Sequence, residues 1–449
     1  MKNHKLNSEL LLFLIFYFLL LTSCSIQKQI SKSAQNVIND PSLATAHIGI
    51  SIYEPAANKY WYNYQGDKYF TPASNTKLAT CYAAMKYLGD SLVGILKAEN
   101  DTVILFLPNA DPTLLHPDFK DQPVIDFLKN TNKKIYTADV NWKDDAWGSG
   151  WSWSDYNESY MAERSPMPVY GNIIKWIQDN SNSKEPAVIY SNPEVDWKVD
   201  FNSTNAKNFS VQRNIGENVY QLTQGREKYK EVEVPFVTNG LKAALELLPD
   251  TIHKTIDLLD SGKFQQLFHE MNSTASSVKT QPTDTLLKIT MHRSDNFFAE
   301  QTLLMVSNQR LGVMSDEKII DTLLKTDYKD LPQKPRWVDG SGLSRYDLFT
   351  PQDFVSILNK IKSEFGMDRI KIILATGNTG TLTNYYKADS NYIFAKTGTL
   401  SGVVSISGYL FTKKKKLLIF SVLVNNHNSS AIAVRRTVER FIENIRSKY

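Results

Sequence analysis

The chain has 449 residues, of which 42% are hydrophobic and 22% charged. This composition is typical of globular proteins and excludes a disordered chain, and the length predicts about two to three domains. A net charge of +4 is mild for this size and gives no indication of a nucleic-acid partner. The dense lysine run Lys413–Lys416 lies between two strand-like segments and predicts a hairpin turn.

The first residues predict export from the cell. A positively charged start precedes the apolar run Leu10–Leu21, which is shorter than the roughly 20 residues that span a bilayer. The run ends in Leu21–Cys24 (LTSC), which resembles a bacterial lipobox, where the signal is cut before a cysteine that then carries lipid. We therefore predict a signal peptide over 1–23, a lipid anchor at Cys24 in the periplasm-facing cell envelope, and a polar tether over 24–40. The alternative is an ordinary signal that happens to precede a cysteine.

Two strands are predicted next, over Ala46–Tyr53 and Lys59–Tyr64. A proline-containing break follows, and then an apolar helix over Lys77–Leu88, in which Cys81 is expected to be a buried small hydrophobe. From 99 to 282, short strand-like pieces alternate with turns rich in Asn, Asp, Ser and Pro. This change in the sequence pattern predicts a β-rich insertion, with a smaller domain nested near 170–250.

After residue 282, the predicted helices and strands are longer. Helices are predicted over Ser294–Leu311, with Ser294 at the N-cap, and over Pro351–Ile361. Three strands and a basic terminal helix then follow, over Tyr392–Leu400, Val403–Phe411, Leu417–Asn425 and Ala431–Arg446. Strands at both ends of the chain, with helices between them, predict an α/β (α+β) catalytic domain formed by 41–98 and 283–449 and split by the insertion.

Ser74-Asn75-Thr76-Lys77 is the first of three strings that carry chemistry. The SxxK pattern also occurs at Ser25–Lys28, Ser181–Lys184, Ser276–Lys279 and Ser315–Lys318. Only the match at Ser74 follows a proline-containing break and opens an apolar helix, where positions i and i+3 share a face. A serine becomes a nucleophile when a base removes its proton, so Lys77 must be neutral. Burial and a nearby cation such as Lys396 favour the neutral amine.

Two further strings follow in order. Ser294-Asp295-Asn296 supplies a hydroxyl that can relay a proton and an amide that can hold Lys77 or the substrate, although an N-capping serine alone also fits. Lys396-Thr397-Gly398-Thr399 falls in a predicted strand, where Gly398 lets a substrate backbone lie close. Lys396 and the threonine hydroxyls suit a substrate carboxylate, and the N–H groups of Ser74 and Thr399 can form an oxyanion hole.

The ordered trio is the one described for penicillin-recognising serine enzymes. With its flanking residues, the chain from about residue 45 onwards resembles the penicillin-binding-protein-4-like D-alanyl-D-alanine carboxypeptidases/endopeptidases, which carry a large insertion between the first two motifs. The strings that carry the resemblance are PASNTK (Pro72–Lys77), ADPTL (Ala110–Leu114), SDNFFAEQ (Ser294–Gln301), DGSGLSR (Asp339–Arg345), GTL (Gly380–Leu382) and AKTGTLSGVVSISGY (Ala395–Tyr409).

The resemblance implies a penicillin-binding-protein/serine β-lactamase-like transpeptidase fold with a large β-rich insertion. It implies that Ser74 is the acylated nucleophile and Lys77 its base. Ser294, Asn296 and Lys396 would assist proton transfer and positioning. The substrate-binding residues would be those of the third string, in which Thr397 and Thr399 hold the terminal carboxylate and Gly398 gives room.

The same resemblance implies peptidoglycan stem peptides ending in D-Ala-D-Ala as substrates and β-lactam antibiotics as covalent inhibitors. Water would complete hydrolysis, with no metal or cofactor. Two alternatives stay open. Tyr170-Gly171-Asn172 matches the YxN pattern of one class of serine β-lactamases. A non-catalytic cell-wall-binding lipoprotein is the other alternative, against which the intact trio argues.

Overall fold

The structure, a computed structural model, describes residues 29–181 and 187–449, with the backbone alone at Asn205. The predicted signal peptide over 1–23 and the predicted lipid anchor at Cys24 lie outside these residues. None of the helices in the two described ranges combines the length and the apolar character needed to cross a bilayer.

The strands of the described residues are, in chain order, β1 (His47–Glu54), β2 (Lys59–Tyr64), β3 (Ser91–Glu99), β4 (Val103–Pro108), β5 (Lys134–Thr137), β6 (Ile173–Asp179), β7 (Val188–Asn192), β8 (Val199–Ala206), β9 (Ser210–Arg213), β10 (Tyr220–Gly225), β11 (Tyr229–Pro235), β12 (Ile256–Leu258), β13 (Ser276–Pro282), β14 (Ala375–Thr376), β15 (Ile393–Leu400), β16 (Val403–Phe411) and β17 (Leu417–Asn425). The α-helices are α1 (29–38), α2 (Lys77–Tyr87), α3 (Pro123–Asn130), α4 (Lys242–Ile252), α5 (Ser261–Glu270), α6 (Thr283–Arg293), α7 (Asn296–Leu311), α8 (Asp316–Lys325), α9 (Pro351–Ile373) and α10 (Ala431–Lys448).

The chain divides into two compact units. Unit 1 comprises the described part of Met1–Leu78 together with Asp330–Arg336 and Asp347–Tyr449, and unit 2 comprises Ala79–Lys329 and Trp337–Tyr346. Both contain helices and sheets, which confirms the predicted α/β class.

Unit 1 is built on a six-stranded antiparallel sheet with the order β14-β15-β16-β17-β1-β2. The five strands predicted at the two ends of the chain are confirmed, and β1 pairs with β17 from His47↔Asn425 to Tyr53↔Ile419. The predicted lysine turn over Lys413–Lys416 connects β16 to β17 and is also confirmed. The strands β16 and β17 are central in the sheet, and their side chains are almost all buried because both faces are covered.

The side chains of β16 alternate between two environments. Val404, Ile406 and Leu410 join the apolar core that α10 covers, whereas the hydroxyl of Tyr409 donates to the carbonyl of Leu358 in α9 at 2.7 Å. This alternation is the period of two expected for a strand covered on both faces. It also determines which residues of the neighbouring strand β15 face each side.

Residues 29–38 fall inside the predicted polar tether, but they form α1. Ile30, Ala34 and Val37 are at most 1% exposed and belong to the same core as α10. The tether prediction is therefore wrong for these residues, because one face of this polar segment carries apolar side chains at helical spacing that bury against the unit.

Unit 2 contains a five-stranded sheet with the order β12-β5-β4-β3-β13 and two three-stranded sheets, β8-β10-β9 and β11-β6-β7. The two small sheets use strands between Ile173 and Pro235, inside the region where a nested domain is predicted. Cys81 is 3% exposed, which confirms its predicted burial.

Candidate active site

Ser74 lies in a 3₁₀ turn, Ala73–Thr76, that leads directly into α2. Ala73 has a φ of +49°, in the left-handed region that residues with a side chain rarely adopt. Ala73 and Asn75 are buried, whereas Ser74 is partly exposed. The strained turn therefore presents one hydroxyl at the surface of unit 1, as is common where a nucleophile must be reached by a substrate.

Hydroxyls on one face of the sheet hold this turn in place. Ser405 Oγ in β16 donates to the carbonyl of Pro72 at 2.7 Å. Asn75 Nδ2 donates to Ser407 Oγ at 2.9 Å, and Ser407 in turn donates to Ser421 Oγ at 2.8 Å. Because each of these bonds is buried, they fix the turn to β16 and β17 more firmly than surface contacts would.

Lys77 Nζ lies 3.0 Å from Ser74 Oγ. Lys77 is 1% exposed, so its amine meets the serine inside the protein and not in bulk water. This distance is within hydrogen-bond reach and suits the transfer of the serine proton to a neutral amine. The pairing expected from the i, i+3 spacing is present.

Lys396, in β15, is a second fully buried amine of unit 1. Its Nζ donates to the carbonyl of Thr397 at 2.6 Å. Burial lowers the pKa of Lys396 well below its ordinary value, and the nearby basic groups of Lys77 and Arg435 lower it further. Since like charges in a buried site repel, the fold favours the neutral form of this amine.

We expect Lys396→Met to raise the stability of the folded protein at neutral pH. The pKa of Lys396 is lowered on folding, so between the folded pKa and the ordinary value of about 10.4 the unfolded chain binds more protons. The stability of the wild-type protein therefore rises with pH across that window and is lowest below it. Methionine removes this penalty and should raise the melting temperature of the protein at neutral pH.

Melting temperatures measured from pH 6 to pH 10 check this expectation. The gain from Lys396→Met should shrink as the pH approaches the ordinary lysine pKa. The exposed Lys318→Met is the control and should shift stability by less than about 0.5 kcal/mol at every pH. A destabilised Lys396→Met, or a gain that does not vary with pH, contradicts the expectation.

Gly398 is placed where β15 passes the serine turn. A Cβ at this position would lie 2.3 Å from Ser405 Oγ, 2.7 Å from the carbonyl oxygen of Pro72 and 2.9 Å from the backbone nitrogen of Ser74. Two of these atoms belong to the backbone and cannot rotate away. The glycine thus lets the strand approach the nucleophile segment itself, a reason that is distinct from the expected room for a substrate.

Thr397 and Thr399 alternate with Lys396 and Gly398 along β15. Thr397 is 8% exposed, and Thr399 is exposed and accepts a hydrogen bond from Nη2 of Arg435 in α10. The edge strand β14 pairs with β15 only at residues 394 and 395. In the part of the chain that the structure describes, no strand pairs with the outer edge of 397–400, which suits the addition of an extended peptide there.

Ser294 and Asn296 belong to unit 2. Ser294 is not the N-cap of the following helix, as predicted, but ends α6 in a left-handed conformation with a φ of +64°. Asp295 is the N-cap of α7 instead, because its Oδ1 accepts the N–H of Phe298 at 2.9 Å. Asn296 is the first residue of α7, and its Nδ2 donates to the carbonyl of Tyr160 at 3.1 Å.

The DGSGLSR string forms a loop in unit 2 that is organised around Asp339. Its carboxylate accepts the N–H groups of Gly342 and Ser344, both at 2.7 Å. It also accepts the Nε1–H of Trp151 at 2.9 Å, which ties this loop to the segment around Trp151. A buried carboxylate that accepts three donors fixes the loop backbone.

Tyr170 and Asn172, the residues of the YxN match, make bonds that are internal to unit 2. The hydroxyl of Tyr170 lies 3.0 Å from Thr251 Oγ1. Asn172 is buried, and its Nδ2 donates to the carbonyl of Glu163 at 2.8 Å and to Ser165 Oγ at 3.0 Å. The geometry thus gives this string a structural role.

Metal-ligating side chains do not gather at this site. Among the described residues, no group of three or more His, Cys, Asp or Glu side chains is placed to hold a metal ion. The reactive groups near the serine turn are hydroxyls and amines, and their chemistry is proton abstraction from a nucleophile followed by acyl transfer.

Sequence reasoning missed several residues that shape the site. Ser405 and Ser407 anchor the turn. Their spacing of two residues in β16 indicates that both face the same side of the sheet. Arg435 contacts Thr399 from a helix described only as basic, and no local pattern distinguishes it from its neighbours. The positive φ of Ala73 has no signature in the sequence.

Comparisons with known proteins place the chain among relatives of known class. The model of the D-Ala-D-Ala carboxypeptidase 3 (S13) family matches residues 30–445. The D-alanyl-D-alanine carboxypeptidase of Actinomadura sp. (strain R39) is 23% identical over 443 residues, which covers 88% of this chain and 80% of that protein. D-alanyl-D-alanine carboxypeptidase DacB of Haemophilus influenzae is 26% identical over 168 residues, 33% of each chain.

Solved structures show the same fold. The crystal structure of penicillin binding protein 4 (dacB) from Haemophilus influenzae superimposes with a TM-score of 0.69 at 20% identity, covering 93% of this chain and 98% of that one. A predatory endopeptidase from Bdellovibrio bacteriovorus, Bd3459, superimposes with a TM-score of 0.52 at 14% identity, covering 90% and 94%. The predicted fold, that of the penicillin-binding proteins with additional β-rich parts, is confirmed.

Proposed function

The chain belongs to the D-Ala-D-Ala carboxypeptidase (S13) family of serine peptidases, and we propose that it hydrolyses peptidoglycan stem peptides or their cross-links through an acyl-enzyme on Ser74. One observation carries the proposal: Ser74 Oγ lies 3.0 Å from the buried amine of Lys77, at the start of a helix. The adjacent Lys396–Thr399 segment supplies a second amine and two hydroxyls.

In the proposed reaction, neutral Lys77 removes the proton of Ser74 Oγ as the oxygen attacks the carbonyl carbon of the penultimate D-Ala. The C–N bond to the terminal residue then breaks, and the leaving amine takes up the proton that Lys77 had accepted from Ser74. A water molecule attacks the resulting ester in the second half of the cycle, which releases the shortened peptide and restores the serine. Atoms and charges balance without any further reactant.

We assign supporting roles to the remaining residues of the trio. The buried amine of Lys396 would assist proton transfer and positioning, while the hydroxyls of Thr397 and Thr399 receive the substrate carboxylate. The oxyanion would accept N–H groups of Ser74 and Thr399. The close packing of β15 against the serine turn at Gly398 supports this assignment.

Ser294 and Asn296 are proposed participants on the strength of their motif. The hydroxyl of Ser294 would pass a proton towards the leaving amine, and the amide of Asn296 would hold the substrate or the base in position.

We further propose that β-lactams acylate Ser74, as strained mimics of the scissile amide, and that the protein works in the bacterial cell envelope. The LTSC sequence supports a lipid anchor at Cys24, facing the periplasm. The β-lactamase alternative loses its supporting observation, because the YxN residues Tyr170 and Asn172 make internal bonds in unit 2.

Gly398→Ala is expected to slow acylation about 100-fold, the effect of displacing a reacting group by roughly 1 Å. The new methyl group would press on the backbone of Pro72 and Ser74, so either β15 or the nucleophile must shift. The rate of labelling by a fluorescent penicillin, well below the melting temperature, measures the effect. Gly216→Ala is the control because a Cβ there meets nothing within 4 Å. Labelling of folded Gly398→Ala at the wild-type rate would show that this close approach is not needed.

The proposed function is tested by incubating the purified protein with a fluorescent penicillin and, separately, with a stem pentapeptide. We expect a stable adduct that peptide mapping locates at Ser74, and release of D-Ala from the pentapeptide. Rapid turnover of penicillin without a lasting adduct would favour a β-lactamase. Neither adduct nor D-Ala release would overturn the proposal and favour the non-catalytic binding protein.

A further inference from the structure

Arg435 lies near the N-terminal end of α10 and touches the third string of the site. Its Nη2 donates to Thr399 Oγ1, and its side chain lines a small cavity of unit 1 together with Thr397 and Ser405. A hydroxyl that accepts a guanidinium N–H keeps its own proton available for an acceptor. Thr399 is therefore prepared to donate to an anion at the exposed end of the strand.

No carboxylate of the described residues neutralises Arg435. Its neighbour Arg436, in contrast, pairs with Glu439 at 2.6 Å, and Arg446 on the same helix pairs with Asp389 at 2.9 Å. Arg435 Nε is buried and makes no hydrogen bond within the described chain. A partly buried guanidinium without a counter-ion is unfavourable, so Arg435 is suited to bind an anion that arrives from outside.

The surroundings of Arg435 add positive charge. The guanidinium is close enough to the buried amine of Lys396 to lower the pKa of that group. The first turn of α10 contains no acidic residue, so its exposed N–H groups contribute a further positive potential. The guanidinium of Arg435 and the helix end together favour a negatively charged group beside Thr399.

We propose that Arg435 is a specificity-determining positioning residue which, through Thr399, selects substrates whose leaving residue carries a free carboxylate next to the scissile amide nitrogen. This inference rests on the proposed function and names its substrate class. Peptides ending in free D-Ala qualify, as do cross-links whose amine sits on a carbon that also bears a free carboxylate. Terminal amides, and cross-links through a lysine side-chain amine, lack that group.

The test compares two stem pentapeptides that differ only at the C-terminus, one ending in D-Ala and the other in D-alaninamide. The wild-type protein should hydrolyse the free acid with a kcat/KM about 10- to 100-fold higher, the range expected for one charge-assisted contact. Arg435→Gln should lower kcat/KM for the free acid by about that factor and leave the amide nearly unchanged. Arg435→Lys should recover part of the preference, since it keeps the charge without the planar fork.

Arg436→Gln is the matched control, because it removes a neighbouring arginine whose charge is already paired with Glu439, and it should keep the wild-type preference. An unchanged preference in Arg435→Gln would overturn the inference, and so would an equal loss on both peptides, which indicates a structural role. If the wild-type protein hydrolysed neither peptide, the proposed function would fail and the inference with it. That result is distinct from hydrolysis with an unaltered preference.

Discussion

Ser74→Ala is expected to abolish acyl-enzyme formation and to lower D-Ala release by at least about 10⁴-fold. The alanine leaves the turn and its anchoring bonds through Pro72 and Asn75 in place, because neither bond uses the serine side chain. The substrate would still bind, but no nucleophile would lie beside Lys77. In-gel fluorescence after treatment with a labelled penicillin measures the first effect, and D-Ala released from a stem pentapeptide measures the second.

Ser315→Ala is the matched control for this loss. Ser315 and Lys318 form another SxxK string, also at the start of a helix, but there the serine is the N-cap of α8. Loss of the cap should reduce the stability of the protein by about 1 kcal/mol while labelling persists. Labelling of Ser74→Ala at the wild-type rate, or loss of labelling in folded Ser315→Ala, would remove Ser74 from its assigned role.

The parts of the site that the sequence predicted are those set by local geometry. The approach of Ser74 to Lys77 follows from three residues of helical spacing, and the five end strands follow from alternating or continuous apolar runs. The fold class followed from the order of these elements. The domain boundaries and the roles of Ser294 and Asn296 remain predictions.

The parts that escaped prediction depend on contacts between distant positions. Ser405 bonds to Pro72 across 333 residues of sequence, and Gly398 is required by a turn more than 300 residues away. Neither the bond of Ser405 nor the close approach at Gly398 can be inferred from the local string. From that string alone, Gly398 predicts only space for a substrate. Likewise, the proposed role of Arg435 depends on its hydrogen bond to Thr399, 36 residues earlier.

Two errors were local and have a simple physical origin. Ser and Asp are about equally good N-caps, so the sequence alone does not distinguish Ser294 from Asp295 as the N-cap of α7. In the structure, the carboxylate of Asp295 caps the helix. The polar composition of 24–40 suggested a tether, yet Ile30, Ala34 and Val37 lie at spacings of four and three residues and bury one face of α1.

The second large effect is expected at Lys77. Lys77→Met should slow acylation of Ser74 by about 10²- to 10⁴-fold, the usual contribution of a general base. Methionine has a similar length and no charge, and Lys77 is 1% exposed, so the change suits the buried site. The rate of labelling by fluorescent penicillin under single-turnover conditions measures acylation alone.

Lys77→Arg separates a base from a merely positive neighbour. An arginine keeps the charge but stays protonated throughout the pH range of the protein, so it cannot accept the proton of Ser74. If Lys77 is the base, Arg and Met variants that remain folded should be about equally slow, and the exposed Lys318→Met should acylate like the wild-type protein. If the arginine variant retained most of the rate, the role of Lys77 would be electrostatic, and the base would have to be sought elsewhere, with the buried amine of Lys396 as the first candidate.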